Sequence, residues 1–418
     1  MEVNGLGIEE EKTMVQIAVL GYGTVGSGVV EVIDTNHESI NRKAGDEINI
    51  KYVLDLRDFP GDPVQEILVH DFETIINDPE VDIIVEVMGG LEPAYTFTRR
   101  ALEAGKSVCT SNKELVAEHG VELLELARKN NINYLFEASC GGGIPIIRPL
   151  NSSLTADEID EVTGILNGTT NYILTKMASD GSEFEEALKE AQNYGYAERN
   201  PEADVEGYDA CRKIAILSSL AYGNHVRYED IYTEGITKIT AADIKYAVAM
   251  GTSIKLLATS RKMEEGFYAM VSPVMISKKS PLYSVNGVFN AIFIHGNVLG
   301  DAMFYGSGAG KLPTASAVVS DVVDCAKHLH RSIMVNWSNR KLELMNIDEV
   351  RSRFFVRVSG TPAQRKEGVE NLFGPVDIVT VPGLTEEFAF VTGMITERSF
   401  RERAEKMDGI LSRIRARI

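Results

Sequence analysis

A lysine and a group of acidic residues near the middle of the chain have the residue types needed for proton transfer. Asp209 and Lys213 are four residues apart, just before the apolar run Ile214–Leu217. Residues at this spacing lie on one face of a helix, so we expect the two side chains to be neighbours where the helix enters a core. A lysine buried there needs an ionic partner, and burial makes its proton affinity adjustable. The alternative interpretation is a surface ion pair without a chemical role.

The loop that precedes this helix combines further carboxylates with glycine and proline. The stretch 191–213 resembles the signature segment of homoserine dehydrogenases, and the matching residues are Gly195, Tyr196, Asn200, Pro201, Asp204, Val205, Gly207, Asp209 and Lys213. The resemblance implies interconversion of L-homoserine and L-aspartate 4-semialdehyde with a nicotinamide cofactor, in the biosynthesis of threonine, methionine and isoleucine. We expect a monofunctional enzyme, because too few residues precede position 15 to form a kinase domain.

The resemblance also implies a role for each polar residue. Reduction of an aldehyde develops negative charge on its oxygen, which must receive a proton. We expect Lys213 to donate that proton, Lys113 to stabilise the oxyanion and Asp209 to orient Lys213. We expect Glu198 to bind the α-ammonium group of the substrate, and Asp204 to contact the substrate or to support the loop.

Two other functions remain open at this point. A non-catalytic amino-acid sensor would keep the same folds without turnover, although the intact Lys113, Glu198, Asp209 and Lys213 count against it. A different semialdehyde dehydrogenase would need a nucleophilic cysteine, for which Cys140 is the candidate. No histidine lies near Cys140 in the sequence, which disfavours a thiol mechanism.

Composition restricts the class of protein. The chain has 418 residues, 44% hydrophobic and 25% charged, which indicates a globular protein of two or three domains. A net charge of −19 argues against nucleic acid or an anionic membrane as partner, since both attract clustered cations. No apolar run approaches the roughly 20 residues that span a bilayer. Scattered cysteines and an N-terminus unlike a secretory signal predict reduced thiols and a cytoplasmic location.

The first 130 or so residues alternate strands with helices, as in a doubly wound parallel sheet. The apolar run Val15–Leu20 predicts a buried strand, and Ser27–Thr35 predicts a helix. Between them lies Gly21-x-Gly23-x-x-Gly26, the spacing of a dinucleotide-binding turn. Later elements are predicted at Ile48–Leu56, Asp82–Val87, Pro93–Ala104 and Ser107–Thr110.

The end of the second strand decides the cofactor. An acid there bonds the ribose 2′-hydroxyl of NAD, whereas an arginine pairs with the 2′-phosphate of NADP. Arg57 stands between Asp55 and Asp58, and homoserine dehydrogenases often carry an arginine here, so we favour NADP and keep NAD open. The predicted cofactor-binding set is Gly21, Gly23, Thr24, Val25, Gly26, Arg57, Gly89, Ser111, Lys113 and Gly310.

The glycine-rich segment 137–144 marks the start of a second domain. In the family that the chain resembles, this segment binds a monovalent cation, usually Na⁺, through backbone carbonyls, and hard oxygen ligands suit such an ion. The matching residues are Glu137, Cys140, Gly142 and Ile144. A flexible connector is the alternative interpretation.

We predict an α/β fold in three parts. Residues 1–136 form a Rossmann-type domain that is completed by about 305–330, residues 137–304 an α+β catalytic and dimerisation domain, and residues 350–418 a ferredoxin-like, ACT-type module. The junction 359–364 lacks the acidic residue common in amino-acid-binding ACT modules, which leaves open whether the module binds threonine or serves mainly in assembly. We expect the module to be separable from the catalytic body. The resemblance implies a homodimer or homotetramer.

Overall fold

The computed structural model describes residues 14–334 and 337–418, so residues 1–13 of the predicted first domain lie outside the described part. The chain divides into two compact units. Within the described residues, unit 1 runs to Ser139 and includes the later segment from Gly310 to Met334, while unit 2 comprises Cys140–Ala309 and Trp337–Ile418. In those two ranges no helix has both the length and the apolar character needed to cross a membrane.

Unit 1 contains a parallel sheet. Its strands are β1 Met14–Leu20, β2 Glu47–Leu54, β3 Leu68–Val69, β4 Val81–Glu86, β5 Ser107–Thr110 and β6 Tyr134–Leu135. Its α-helices are Thr24–Thr35, His37–Ala44, Phe72–Ile76, Ala94–Glu103, Lys113–Lys129 and Lys311–Lys327. The strand order β3-β2-β1-β4-β5-β6 changes direction between β1 and β4. In such doubly wound sheets ligands bind outside the carboxyl ends of the strands at that point.

Two boundaries in unit 1 differ from the sequence prediction and affect the site. β2 ends at Leu54, two residues before the predicted Leu56, which leaves Asp55 and Arg57 in the following loop. The first helix begins at Thr24 instead of Ser27, directly after Gly23, so its amino end adjoins the glycine turn. The first shift makes Asp55 the first residue after the strand and Arg57 the third, and the second places Thr24 and Val25 in the first turn of the helix.

Unit 2 contains a large mixed sheet. The strands of unit 2 are β7 Ile159–Ile165, β8 Asn224–His225, β9 Tyr232–Thr233, β10 Thr252–Met263, β11 Gly266–Ser277, β12 Phe289–Gly296, β13 Gly300–Ser307, β14 Ser338–Lys341, β15 Arg351–Ser359, β16 Asp377–Val379, β17 Glu387–Val391, β18 Ile395–Thr396 and β19 Ile410–Arg417. Of these, β8 and β14 form a separate two-stranded sheet. The α-helices of unit 2 are Gly168–Asp180, Phe184–Asn193, Glu202–Val205, Tyr208–Tyr222, Ala241–Ala249, Pro362–Phe373 and Glu397–Ala404. The main path of the sheet is β13-β12-β7-β10-β11-β19-β15-β17-β16.

Apart from the two-residue β18, which pairs with β15 off the main path, the C-terminal part of unit 2 has the element order βαββαβ, with strands in the order β19-β15-β17-β16. It has its own apolar core, formed by Phe354, Val356, Val358, Val369, Phe373, Phe388, Phe390 and Phe400. Its second helix ends at Ala404, and the left-handed Gly409 (φ +80°) then turns the chain into the eight-residue strand β19.

The expectation that this part is separable is wrong in one respect. β19 pairs in parallel with β11, with Val274 opposite Arg415 and Ile276 opposite Arg417. The four C-terminal strands and the strands of the catalytic body therefore form one continuous hydrogen-bonded sheet. Removing residues beyond about 350 would expose the edge of β11, and open strand edges promote association.

Candidate active site

The glycine turn of unit 1 has the geometry of a phosphate cradle. Gly21 is left-handed (φ +99°), and a Cβ at Gly26 would lie 1.9 Å from the Gly21 carbonyl oxygen. A Cβ at Gly23 would meet no atom within 4 Å, so space is open above the turn. Thr24 and Val25 begin the helix, whose first backbone N–H groups have no partner within the helix and suit an anion.

Asp55 and Arg57 lie beside this turn. The Asp55 carboxylate accepts hydrogen bonds from Tyr22 N at 2.8 Å and from Arg57 Nε at 2.9 Å, and Arg57 Nη2 donates to the Tyr22 carbonyl at 3.2 Å. These bonds hold the pKa of Asp55 well below its usual range, with the Arg57 side chain the largest cause. The Arg57 side chain is 62% exposed, so its guanidinium remains accessible at the edge of the turn.

The loops after β4 and β5 are joined by a buried network that the sequence did not indicate. Glu86 accepts from Met88 N at 2.8 Å and from the Thr110 hydroxyl at 2.6 Å. Burial raises the pKa of Glu86, while these hydrogen bonds act against that rise.

Asn112 donates to the Gly90 carbonyl at 2.6 Å and caps the next helix through Leu115 N. The network holds three of the predicted residues in place: Gly89 is left-handed in the first loop, Ser111 is half-buried in the second, and Lys113 is the first residue of the helix.

Gly310 starts the helix that returns to unit 1. Its φ of +125° disfavours any other residue, and the helix that follows runs from Lys311 to Lys327. A Cβ at Gly28 would lie 2.9 Å from the Lys311 carbonyl oxygen, so this helix packs closely on the first helix of the unit. An ion pair of 2.6 Å between Lys311 and Glu31 also joins them.

In unit 2, Lys213 and Asp209 form the predicted pair, and both are buried. Lys213 is 9% and Asp209 4% exposed, and Lys213 Nζ donates to Asp209 Oδ2 at 2.7 Å and to the Leu166 carbonyl at 2.8 Å. The left-handed Gly207 (φ +86°) begins their helix, Tyr208–Tyr222. The pair therefore enters the core as predicted, and the interpretation as a surface ion pair does not hold.

Asn167 connects the pair to Asp204 and was missed by sequence reasoning. Its Nδ2 atom donates to Asp204 Oδ1 at 2.7 Å and to Asp209 Oδ2 at 2.9 Å, while its Oδ1 accepts from Thr170 N as a helix cap. Burial raises the pKa of Asp204, and the nearby charge of Asp209 adds to the increase. The available signal was an asparagine directly before a helical Gly-Thr-Thr stretch, which is typical of an N-cap.

Glu198 lies apart from this network. Its side chain is exposed, and among the described residues its one hydrogen bond is accepted by its backbone carbonyl, from Gln192 Nε2 at 3.1 Å. Asp204, Asp209 and Lys213 are therefore brought together by direct hydrogen bonds through Asn167, whereas Glu198 is not part of them.

The residues predicted to hold a cation are buried. In unit 1, Glu137 is 2% exposed and its N–H donates to Asp321 Oδ2 at 2.8 Å. In unit 2, Cys140 and Ile144 are 0% and 1% exposed, and the left-handed Gly142 has no room for a Cβ, which would lie 2.4 Å from the Gly308 carbonyl oxygen. Within the described residues no cluster of three or more His, Cys, Asp or Glu side chains has metal-binding geometry.

Comparison with known families decides the identity. Residues 21–137 match the model of the homoserine dehydrogenase NAD-binding domain, and residues 145–323 match the homoserine dehydrogenase model. The chain belongs to the homoserine dehydrogenase family. Members of this family are NAD(P)-dependent oxidoreductases, so the interpretation as a non-catalytic sensor is not favoured.

Sequence relatives and solved structures agree with this assignment. The chain is 48% identical to a homoserine dehydrogenase of Synechocystis sp. (74% of this chain, 73% of the relative) and 41% identical to one of Bacillus subtilis (77% and 75%). The structure of a homoserine dehydrogenase from Thiobacillus denitrificans superposes with a TM-score of 0.89 at 34% identity, over 97% of this chain and 98% of that one. A hyperthermophilic archaeal homoserine dehydrogenase in complex with NADPH matches at 30% identity with a TM-score of 0.65, over 75% of this chain and 98% of that one.

The third interpretation, a thiol mechanism, conflicts with the position of Cys140. Its side chain is fully buried, and Sγ lies 3.7 Å from the Lys213 carbonyl oxygen, to which it donates a weak hydrogen bond. Reactive thiols need a partly exposed, electropositive environment. Cys140 is therefore a buried packing residue beside Lys213.

Proposed function

We propose that the protein interconverts L-homoserine and L-aspartate 4-semialdehyde with Lys213 as the proton donor. The observation that carries the proposal is the buried Lys213, whose Nζ bonds Asp209 Oδ2 at 2.7 Å and the Leu166 carbonyl at 2.8 Å. An ammonium group has three N–H donors, and these two bonds leave one for the substrate oxygen. When bound, the nicotinamide ring supplies the hydride. Lys213 then protonates the oxygen as the carbonyl becomes an alcohol, and accepts that proton in the reverse direction.

In this proposal Asp209 both balances the charge of Lys213 and fixes its orientation. Its carboxylate balances the charge of the ammonium group in a buried environment, where an unpaired charge would be costly. Asn167 holds Asp209 from the other side at 2.9 Å, so the carboxylate cannot turn away from Lys213. Lys113, at the start of its helix in unit 1, would stabilise negative charge on the substrate oxygen.

Substrate recognition rests on two carboxylates with different surroundings. Asp204 is fixed by Asn167 and has a raised pKa, so it is suited to a supporting or hydrogen-bonding role. Glu198 is exposed, and its carboxylate is free of hydrogen bonds within the described residues, so it is suited to pair with the α-ammonium group of an incoming amino acid.

We favour NADP as the cofactor, because the Asp55 carboxylate is already hydrogen-bonded within the protein. Its carboxylate accepts from both Tyr22 N and Arg57, which leaves little capacity for a ribose hydroxyl. The Nε and Nη2 atoms of Arg57 bind Asp55, and the exposed guanidinium offers its charge and its Nη1 atom to a 2′-phosphate. The relative crystallised with NADPH supports the same preference.

Three further features belong to this proposal. Glu137, Cys140, Gly142 and Ile144 would hold a monovalent cation, such as Na⁺, mainly through backbone carbonyls, and these hard oxygen donors fit the ion. The βαββαβ order of the C-terminal part supports an ACT-type module. A homodimer or homotetramer is the assembly we expect.

The proposed activity is tested by cofactor absorbance with L-homoserine and NADP⁺. We expect reduction of NADP⁺ that requires homoserine, with L-threonine and L-serine as control alcohols that give no turnover. Absence of turnover in both directions with a folded protein would refute the proposal.

A further inference from the structure

The last strand of the chain has a second role beyond completing the sheet. We propose that Arg415 on β19 is a positioning residue for the substrate site and that it acts through Glu234. The inference rests on the proposed site at Asp204, Asp209 and Lys213, and it links that site to a part of the chain far away in sequence.

The first step is a buried ion pair between β19 and the catalytic body. Arg415 is 2% exposed, and its Nη1 donates to Glu234 Oε2 at 2.7 Å, while Nε and Nη2 bind Glu397 at 2.6 and 3.0 Å. Tyr232 donates its hydroxyl to the same Glu234 oxygen at 3.1 Å. Burial acts to raise the pKa of Glu234, but the charges of Arg413 and Arg415 outweigh it and lower the pKa below its ordinary value. Glu234 is thus held as a charged group by the C-terminal strand.

The second step joins Glu234 to the loop of the substrate site. The Glu234 N–H donates to the Val271 carbonyl at 2.8 Å, and Ile236 N donates to the Val205 carbonyl at 2.8 Å. A Cβ at Gly235 would lie 2.2 Å from the Val205 carbonyl oxygen and 2.5 Å from Glu206 Cα. The segment around Glu234 therefore lies in direct backbone contact with the residues that follow Asp204.

The third step reaches the helix that carries Asp209 and Lys213. Gly207 begins this helix, and a Cβ at that position would meet Val271 Cγ1 at 3.1 Å and Thr233 Cγ2 at 3.2 Å. The start of the helix therefore rests on the segment 233–236 and has no room to move towards it. Because Glu234 anchors that segment to Arg415, loss of the ion pair should loosen the helix start and displace Asp209.

The chain contains a matched control for this contact. Arg357 is another buried arginine of the C-terminal part, 6% exposed, and it also binds one carboxylate of that part and one of the body. It binds Glu387 at 2.8 and 3.0 Å and Asp243 at 3.0 Å. Asp243 belongs to the start of the helix Ala241–Ala249, away from the segment 233–236. The two arginines therefore join the same parts of the molecule, and only Arg415 reaches the substrate loop.

The experiment compares Glu234→Gln with Asp243→Asn, the corresponding body-side carboxylate, in the full-length protein. Each variant removes one charge from a buried arginine pair while conserving side-chain volume, so we expect similar decreases in melting temperature. Loss of one charge-assisted hydrogen bond corresponds to about a tenfold effect, so we expect Glu234→Gln to lower kcat/KM for homoserine by about that factor. We expect the KM for NADPH to be unchanged in both variants, and kcat/KM for homoserine to be unchanged in Asp243→Asn.

Arg415→Lys and Arg357→Lys form a second pair that keeps the positive charge and loses the guanidinium fork. They test the same contact if Glu234→Gln does not fold. Equal kcat/KM for homoserine in the two members of either pair, whether unchanged or lowered together, would overturn the inference. Such a result would leave the proposed function intact, since only wild-type inactivity towards homoserine contradicts that.

Discussion

The two halves of the candidate site are built in opposite ways. In unit 1 the cofactor turn consists of backbone and depends on the absence of side-chain atoms, as at Gly26, where a Cβ would lie 1.9 Å from a carbonyl oxygen. In unit 2 the chemistry depends on side chains that are present and buried, with Lys213 and Asp209 2.7 Å apart. The difference predicts that adding an atom damages the first half and that removing atoms damages the second.

The largest effect expected on the cofactor half comes from Gly26→Ala, with Gly23→Ala as its control. The added methyl group at Gly26 has no room, so the variant should lose about 1–3 kcal/mol of stability. Because the turn must move to admit the methyl group, we also expect it to bind NADPH at least about tenfold more weakly. Gly23→Ala should leave the melting temperature unchanged, because its Cβ meets no atom. It should weaken the binding of NADPH only through contact between the added methyl group and the pyrophosphate. Equal melting temperatures for the two variants would contradict the geometry of the turn.

The matching change in the substrate half is Asn167→Ala. It removes the amide that binds both Asp204 and Asp209, and hydrogen bonds to charged groups contribute about 1.5–3 kcal/mol. We therefore expect kcat/KM for homoserine to decrease at least about tenfold while the dissociation constant of NADPH stays constant. Steady-state kinetics and NADPH titration on one preparation measure both quantities. A variant with weaker NADPH binding and normal homoserine kinetics would show that Asn167 belongs to the cofactor half and not to the substrate half.

Arg57→Ala tests which residue of the cofactor half selects between NADP and NAD. Only NADP carries the 2′-phosphate, so the loss of a charge-assisted partner should reduce the preference for NADPH over NADH by about tenfold. The measurement is the ratio of kcat/KM for the two cofactors, with Lys311→Ala as a control cation in the same unit. An unchanged ratio would mean that Arg57 serves only to hold Asp55.

The smallest expected effect concerns Lys255, a buried amine outside both halves. It binds Asn171 Oδ1, the Val285 carbonyl and Asn286 Oδ1, and burial lowers its pKa to about 8. Because the unfolded chain binds this proton more tightly, stability should rise with pH from the folded value towards the unfolded one, by about 1 kcal/mol between about pH 7 and about pH 9. The difference in unfolding free energy between wild type and Lys255→Met isolates this contribution. A difference that is constant with pH would show that Lys255 stays protonated.

Local patterns predicted the parts of the site that are local in sequence. The glycine motif Gly21-x-Gly23-x-x-Gly26 lies within a single turn, and Asp209 and Lys213 lie within a single helix. Each could therefore be recognised without knowledge of the tertiary structure. Glu86 was missed because its partners, Thr110 and Asn112, are brought to it by the pairing of β4 with β5, which no short pattern encodes. The pairing of β19 with β11 was missed for the same reason, since an isolated βαββαβ order does not reveal which neighbouring edge it joins.

The central claim is that proton transfer belongs to Lys213 and is separate from cofactor binding. The most direct test is a single-turnover measurement on Lys213→Ala preloaded with NADPH and mixed with L-aspartate 4-semialdehyde. The account predicts a dissociation constant for NADPH equal to that of wild type and oxidation slower by about 10² to 10⁴, the usual contribution of a positioned proton donor. Oxidation at the wild-type rate, or loss of NADPH binding in the same variant, would contradict it.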